Sequence, residues 1–231
     1  MGTADCRSQP PMSRVTRPRS QTRTTYNCLS RWYDLLAGGF ESRFRDAGVD
    51  GLAPGPGAIV LEIGFGTGHS IVALAERVGE SGQVFGVDLA EGMIQVTRSR
   101  VEKTDLIGRV VLVQGDAVRL PYVAGLFDGV LMTFTLELFD TSEIPLVLAE
   151  CRRILRRGGR IAVVALSRKG NPNVMTRLYE WAHRRLPRYV DCRPILVQES
   201  VQDAGFHTLQ AERLSLFGLP VELVVAERAD G

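Results

Sequence analysis

Residues 60–70 read Val60-Leu61-Glu62-Ile63-Gly64-Phe65-Gly66-Thr67-Gly68-His69-Ser70. An apolar run stops at a carboxylate and then breaks into glycines at alternate positions, as a strand does when it opens into a loop whose backbone must approach a ligand. A second run, Val84-Phe85-Gly86-Val87, ends at Asp88, after the distance that one helix needs to join two neighbouring parallel strands. A third, Val110-Val111-Leu112-Val113, leads to Gly115-Asp116-Ala117. Glu62, Asp88 and Asp116 would then gather at the carboxyl ends of three adjacent strands, where open α/β sheets bind ligands.

Glycine spacing and charge decide what kind of ligand. The dinucleotide fingerprint G-x-G-x-x-G would require glycine where this chain has His69; the spacing here is G-x-G-x-G. Three carboxylates would repel a pyrophosphate. They suit an ammonium group, a sulfonium, a ribose diol and an exocyclic amine, the combination found in S-adenosylmethionine. A helix starting after the loop would point its positive end at that ligand's carboxylate.

Further blocks follow in order: Leu120-Pro121-Tyr122, Leu126-Phe127-Asp128-Gly129-Val130-Leu131-Met132, and Ile154-Leu155-Arg156-Arg157-Gly158-Gly159-Arg160. With these in register the chain resembles the class I S-adenosylmethionine-dependent methyltransferases, and within them the branch of the ubiquinone/menaquinone biosynthesis C-methyltransferases. Arg156-Arg157-Gly158-Gly159 stands where that branch usually has Lys-Pro-Gly-Gly. The resemblance implies a Rossmann-like, doubly wound, seven-stranded, mostly parallel sheet with an antiparallel C-terminal hairpin. It implies cofactor contacts from Glu62, Gly64, Phe65, Gly66 and Gly68 in the loop, from Asp88, Leu89 and Met93 after the second strand, and from Asp116, Ala117 and Thr133 further on. Tyr33-Asp34 matches a pair that related enzymes place against the cofactor, so Tyr33 is a candidate lid residue. Met93 reads equally well as a gap-filling core side chain.

Of the 231 residues, 45% are hydrophobic, enough for one substantial core. The formal net charge of +2 gives no general attraction to nucleic acid. Residues 1–25 carry Arg7, Arg14, Arg17, Arg19 and Arg23 with few apolar side chains, the composition of a flexible basic tail. Residues 26–231 are then expected to be one domain. No stretch approaches the length of a membrane-spanning helix, and no apolar signal core stands near the start. The cysteines at 6, 28, 151 and 192 show neither metal nor disulfide spacing. No metal site is expected, and the expected compartment is the cytoplasm, with peripheral membrane contact left open.

Leu29, Trp32, Tyr33, Leu36, Phe40 and Phe44 recur at helical spacing, interrupted by Gly38-Gly39. They predict two short helices in a lid over 26–50, before a turn at Ala53-Pro54-Gly55-Pro56-Gly57. Helices are expected over Ile71–Val78, from Met93 onward, and over Ile144–Leu155; strands over Phe127–Thr133 and Arg160–Leu166. The runs Phe206–Leu216 and Leu219–Ala226 should form the terminal hairpin. A substrate-cap insert is expected over 170–197. Its helix near Val174–Leu186 has apolar and basic faces, which fit either a cover for a greasy substrate or a plain amphipathic helix.

Methyl transfer requires alignment of nucleophile and methyl carbon, and a general base where the acceptor must lose a proton. Glu137, at the rim after the fourth strand, and His183, in the insert, are the candidates; Glu137 reads equally as an exposed strand-end charge. His69 and His207 read as structural or cofactor-contacting. Amino methyltransferases carry an Asn-Pro-Pro-Tyr-like block where this chain has Thr133-Phe134-Thr135-Leu136-Glu137, so sequence-specific nucleic acid is not the expected acceptor. A small or lipid-like molecule is, with a quinone precursor the most specific reading. Phospholipid methylation and tailoring of a secondary metabolite fit the same scaffold. A nicotinamide-dependent oxidoreductase is opposed by His69 and the three acids, and a binding protein without catalysis stays open.

Overall fold

The computed structural model describes residues 42–169 and 193–229. Residues 42–52 form a helix (α1), followed by β1 (Ile59–Ile63), α2 (His69–Val78), β2 (Gln83–Asp88), α3 (Glu91–Val101) and β3 (Val110–Gln114). Then come β4 (Phe127–Thr133), α4 (Ile144–Ile154), β5 (Leu155–Leu166), α5 (Val197–Asp203), β6 (Phe206–Leu216) and β7 (Leu219–Arg228). The strands form one sheet in the order β3-β2-β1-β4-β5-β7-β6. β1 to β5 pair in parallel, and β7 runs antiparallel to both β5 and β6. This is the doubly wound sheet with a reversed terminal hairpin that the sequence predicts.

Alternation along each strand sends side chains to two cores. Leu61, Ile63, Val130, Met132, Ile161 and Val163 pack with Val147, Leu148, Cys151 and Ile154 of α4 and Val197 and Val201 of α5. Val60, Val84, Leu131, Ala162, Val164, Leu223 and Val225 pack with α1, α2 and α3. The chain leaves β1 toward β2 and β3 on one side and returns to β4 on the other. That reversal opens a crevice at the carboxyl ends of β1 and β4.

Two details differ from the sequence reading. Residues 42–50, expected in a lid, lie instead against the sheet: Phe44, Val49 and Leu52 are buried. A Cβ at Gly51 would lie 2.8 Å from Val225 Cγ2, and one at Gly48 3.1 Å from Leu131 Cδ1. Glycine costs helix propensity here but lets α1 sit close on β4, β5 and β7. β5 begins at Leu155, which pairs with Phe127 before a register shift; Gly158 takes the left-handed φ of 67° inside that irregularity. The rest of the expected lid, with Tyr33, and insert residues 170–192, with His183, lie outside the described residues. The insert leaves and returns beside the carboxyl end of β5, where Ile195 N donates to Leu166 O (2.9 Å) and Arg168 N to Ile195 O (2.9 Å). Among the described residues, no helix is long and apolar enough to cross a membrane.

Candidate functional site

The loop between β1 and α2 turns on three left-handed glycines, Gly64 (φ 69°), Gly66 (52°) and Gly68 (81°). A Cβ on Gly64 would meet Thr135 Cγ2 at 2.4 Å, and one on Gly68 would meet Thr97 Cγ2 at 2.3 Å. The outer glycines therefore serve packing within the protein. At Gly66 the same direction meets no heavy atom within 4 Å, so the middle glycine presents bare backbone to open space.

Three neighbouring elements hold the loop in place. Thr97 Oγ1 of α3 donates to Gly66 O (2.9 Å), Arg100 Nε to Thr67 O (2.7 Å), and Thr135 Oγ1 to Gly64 O (3.3 Å). From the acidic side, Asp88 Oδ2 accepts from Gly66 N (3.1 Å) and Oδ1 from Ala90 N (2.9 Å). Leu89 N–H bonds the same carboxylate, which still has acceptor capacity for a ligand.

Glu62, Asp88 and Thr133 share strand parity with Val60, Val84 and Leu131 and so face the α1–α3 side. Glu62 is 2% exposed. Burial drives its pKa from 4.5 up to about 8, against a hydrogen bond from Ser70, and the neighbouring Asp88 adds to the rise. Its Oε2 has no hydrogen-bond partner among the described residues. Asp88 is raised as well, by burial, with the N–H groups of Ala90 and Gly66 opposing. Two adjacent acids that resist ionisation favour a ligand carrying positive charge and donors. With the open cradle at Gly66, the residues present fit an adenosyl sulfonium bearing an ammonium group.

The third acid joins the same rim. Gln114 pairs with Asp88 across β2 and β3, Gly115 N donates to Asp88 O (3.0 Å), and Asp116 Oδ1 accepts from Val118 N (3.1 Å). Leu89 is partly exposed beside Asp88, whereas Met93, Ala117 and Phe65 are buried. Met93 packs with the α1–α3 core, and a Cβ at Gly86 would sit 2.6 Å from Phe65 Cδ1. Leu89 is a partly exposed apolar side chain at the mouth. Thr133 Oγ1 is buried without a hydrogen-bond partner among the described residues.

Glu137 is not the exposed strand-end charge that the sequence allows. It is 0% exposed, in a short 3-10 turn over Leu136–Leu138, and its Oε1 accepts from Leu166 N (3.2 Å). It therefore braces the end of β4 to the end of β5. The turn before it is strained, with Phe134 left-handed at φ 51° and its ring 5.6 Å from that of Phe44, edge to face. Arg193, 2% exposed, donates from Nη1 to Thr141 Oγ1 and from Nη2 to Phe139 O, each at 2.7 Å. It ties the end of the insert to this rim. His69 opens α2, and His207 lies 3.7 Å from Glu227 on the terminal hairpin. Thr97, Arg100, Thr135 and Arg193 escaped the sequence reading because each acts across more than 30 positions; only the polar spacing of α3 hinted at the first two.

A seven-stranded sheet in this order, with an alternate-glycine loop above acidic strand ends, is the Rossmann-like fold of class I methyltransferases. Residues 60–159 match a family model described as a methyltransferase domain. Over this stretch the chain is similar to S-adenosylmethionine-dependent methyltransferases, among them proteins named ubiquinone/menaquinone biosynthesis C-methyltransferase UbiE. The protein of that name from Dinoroseobacter shibae is 35% identical over 141 residues, covering 61% of this chain and 55% of the relative. Its counterpart from Rhizobium johnstonii is 30% identical over 159 residues, covering 68% and 60%. The chain thus spans less than two thirds of these relatives' length. Among solved structures, the [4+2]-cyclase SpnF superposes with a TM-score of 0.76 at 18% identity over 95% of this chain and all of that one. A geranyl diphosphate methyltransferase does so with a TM-score of 0.67 at 20% identity over 82% and 79%. That a cyclase shares the fold shows why the reaction must be argued from the site.

Proposed function

We propose that the chain transfers the methyl group of S-adenosylmethionine to a small or lipid-like acceptor, with a quinone precursor as the most specific assignment. The observation that carries this reading is the buried Glu62, with one oxygen unmatched, beside the open backbone of Gly66. Glu62, Gly64, Gly66, Gly68, Asp88, Leu89, Asp116 and Thr133 would hold the donor. When bound, it supplies a methyl group already activated by a sulfonium. The chain's own task is alignment and exclusion of water, which for well-oriented groups supplies much of the barrier reduction.

Glu137 enters as a positioning residue, since its carboxyl group holds Leu166 N at the acceptor rim. Tyr33 as part of a donor cover, and His183 as a proton acceptor in an acceptor cap, belong to the same proposal; both lie outside the described residues. So do cytoplasmic residence and peripheral membrane contact. The names of the two relatives point to C-methylation in quinone biosynthesis, which favours a quinone precursor over a phospholipid or a secondary metabolite.

The test is incubation of the full chain with donor tritiated in the methyl group and a lipid extract from cells blocked in quinone methylation. Label in the quinone fraction is the expected result. Label confined to phospholipid would replace the acceptor, and hydride transfer from a nicotinamide without methylation would overturn the reading.

A further inference from the structure

The terminal hairpin reaches the rim at which the donor and acceptor would meet. β7 pairs with β5 so that Val221 lies opposite Leu166, and Ser167 N donates to Pro220 O (2.8 Å). Because β7 is antiparallel to β5, its first residues stand at the carboxyl ends of the parallel strands. The tip between β6 and β7 therefore belongs to the same edge as Gly64–Gly68 and Thr133.

That tip is built against local preference. Leu216 pairs with Leu219, leaving Phe217 and Gly218 as a two-residue turn, both left-handed at φ 49° and 85°. Turns with two left-handed residues favour asparagine, aspartate or glycine at the first position, and a side chain such as phenylalanine is strained there. The residue is nevertheless 64% exposed. Only three non-glycine residues among those described have positive φ; two are phenylalanines, Phe134 and Phe217, and both lie on this rim. Backbone strain of this kind collects at ligand-binding edges.

The tip itself carries no charge. From Leu214 to Val221 there is no charged side chain, whereas the preceding part of β6 includes His207, Glu212 and Arg213. Leu214, Leu216 and Leu219 are partly buried on the face that α1 covers, and Arg43 Nη2 of α1 donates to Ser215 O (2.8 Å). An apolar ledge thus runs out to an exposed aromatic at the edge of the acceptor region.

We propose that Phe217 is a specificity-determining residue, presenting its ring to an apolar ring or hydrocarbon tail of the acceptor. This rests on the methyl-transfer reading above and narrows its acceptor to molecules with an apolar body at that position, not a charged head group. The experiment uses the full chain and its Phe217→Asn and Phe217→Leu variants. The probes are a reduced 1,4-naphthoquinone with a geranyl tail and the same ring without the tail, both in detergent micelles. Affinity is read by equilibrium dialysis in the presence of S-adenosylhomocysteine, and KM and kcat with S-adenosylmethionine.

Asparagine tolerates the left-handed turn, so that variant is expected to fold with an equal or higher Tm. Its Kd and KM for the tailed probe should rise about tenfold, the scale set by burying one aromatic side chain. The tail-less probe should change less, kcat should stay within about twofold, and S-adenosylhomocysteine affinity should not move; leucine should restore most of the loss. An unchanged affinity for the tailed probe in Phe217→Asn overturns the inference. So does an effect limited to sedimentation with anionic lipid vesicles, which would make the ring a membrane contact. Wild-type protein that binds S-adenosylhomocysteine but neither probe also overturns it while leaving methyl transfer standing; failure to bind S-adenosylhomocysteine removes both.

Discussion

Replacing Glu62 by glutamine keeps the shape of the buried side chain and removes its ability to ionise. In the ligand-free wild type, the folded chain holds a proton on Glu62 up to about pH 8, whereas the unfolded chain releases it near 4.5. Between those values the folded state binds the extra proton, so stability falls as pH rises. The contribution of the protonated carboxyl group is intact below 4.5 and is fully lost above about 8. At about 1.36 kcal/mol per pH unit, the loss approaches about 5 kcal/mol. Urea unfolding of wild type and Glu62→Gln from pH 5 to 9 measures it. The two should nearly agree at pH 5, and the variant should gain over wild type with each step upward. Asp88, also raised by burial, adds a slope of the same sign to both proteins, and its repulsion of an ionised Glu62 is part of the difference that the variant removes. A cationic ligand requires the ionised form, so donor binding at pH 7 should expel nearly one proton from wild type and none from Glu62 in the variant. Calorimetry in two buffers of different ionisation enthalpy reads that proton. A stability difference that stays flat with pH, together with binding that releases no proton, would refute the reasoning.

Gly66→Val should fold, because a Cβ there meets no heavy atom within 4 Å, at a cost of about 1–2 kcal/mol for the left-handed backbone; donor affinity in calorimetry should fall by at least about tenfold. Gly64→Ala adds an atom 2.4 Å from Thr135 Cγ2 at a left-handed φ, and urea unfolding should register a loss of about 2–4 kcal/mol. Thr97→Ala removes the bond to Gly66 O and should cost about 1 kcal/mol, with a severalfold weaker donor Kd measured by calorimetry.

The parts of this protein that are local in sequence were legible there. Val60 to Gly68 declares a strand and a ligand loop in nine consecutive residues, and Leu216-Phe217-Gly218-Leu219 a tight hairpin; periodicity and turn chemistry act over such distances. What escaped depends on atoms brought together by folding. Nothing near Glu137 reveals that its carboxyl group will accept from Leu166 N, since that bond forms only once β4 and β5 lie side by side. The division of labour among the three glycines was equally hidden: Gly64 and Gly68 are fixed by Thr135 and Thr97, and only Gly66 faces outward. The packing of residues 42–50, the end of the expected lid, was hidden because their apolar positions suit a rim as well as a core, while Gly48 and Gly51, poor helix formers, permit close packing on the sheet.

The most direct test is titration calorimetry of S-adenosylhomocysteine and of NAD against the wild-type chain and Asp88→Ala. Asp88 anchors Gly66 N and stands beside Glu62, so an adenosyl ligand should bind wild type, and the variant should lose about 2–4 kcal/mol, given about 1.5–3 kcal/mol for each hydrogen bond to a charged group. NAD should not bind. An Asp88→Ala protein with an unaltered Kd for S-adenosylhomocysteine, or a wild type that prefers NAD, would contradict the assignment of this pocket.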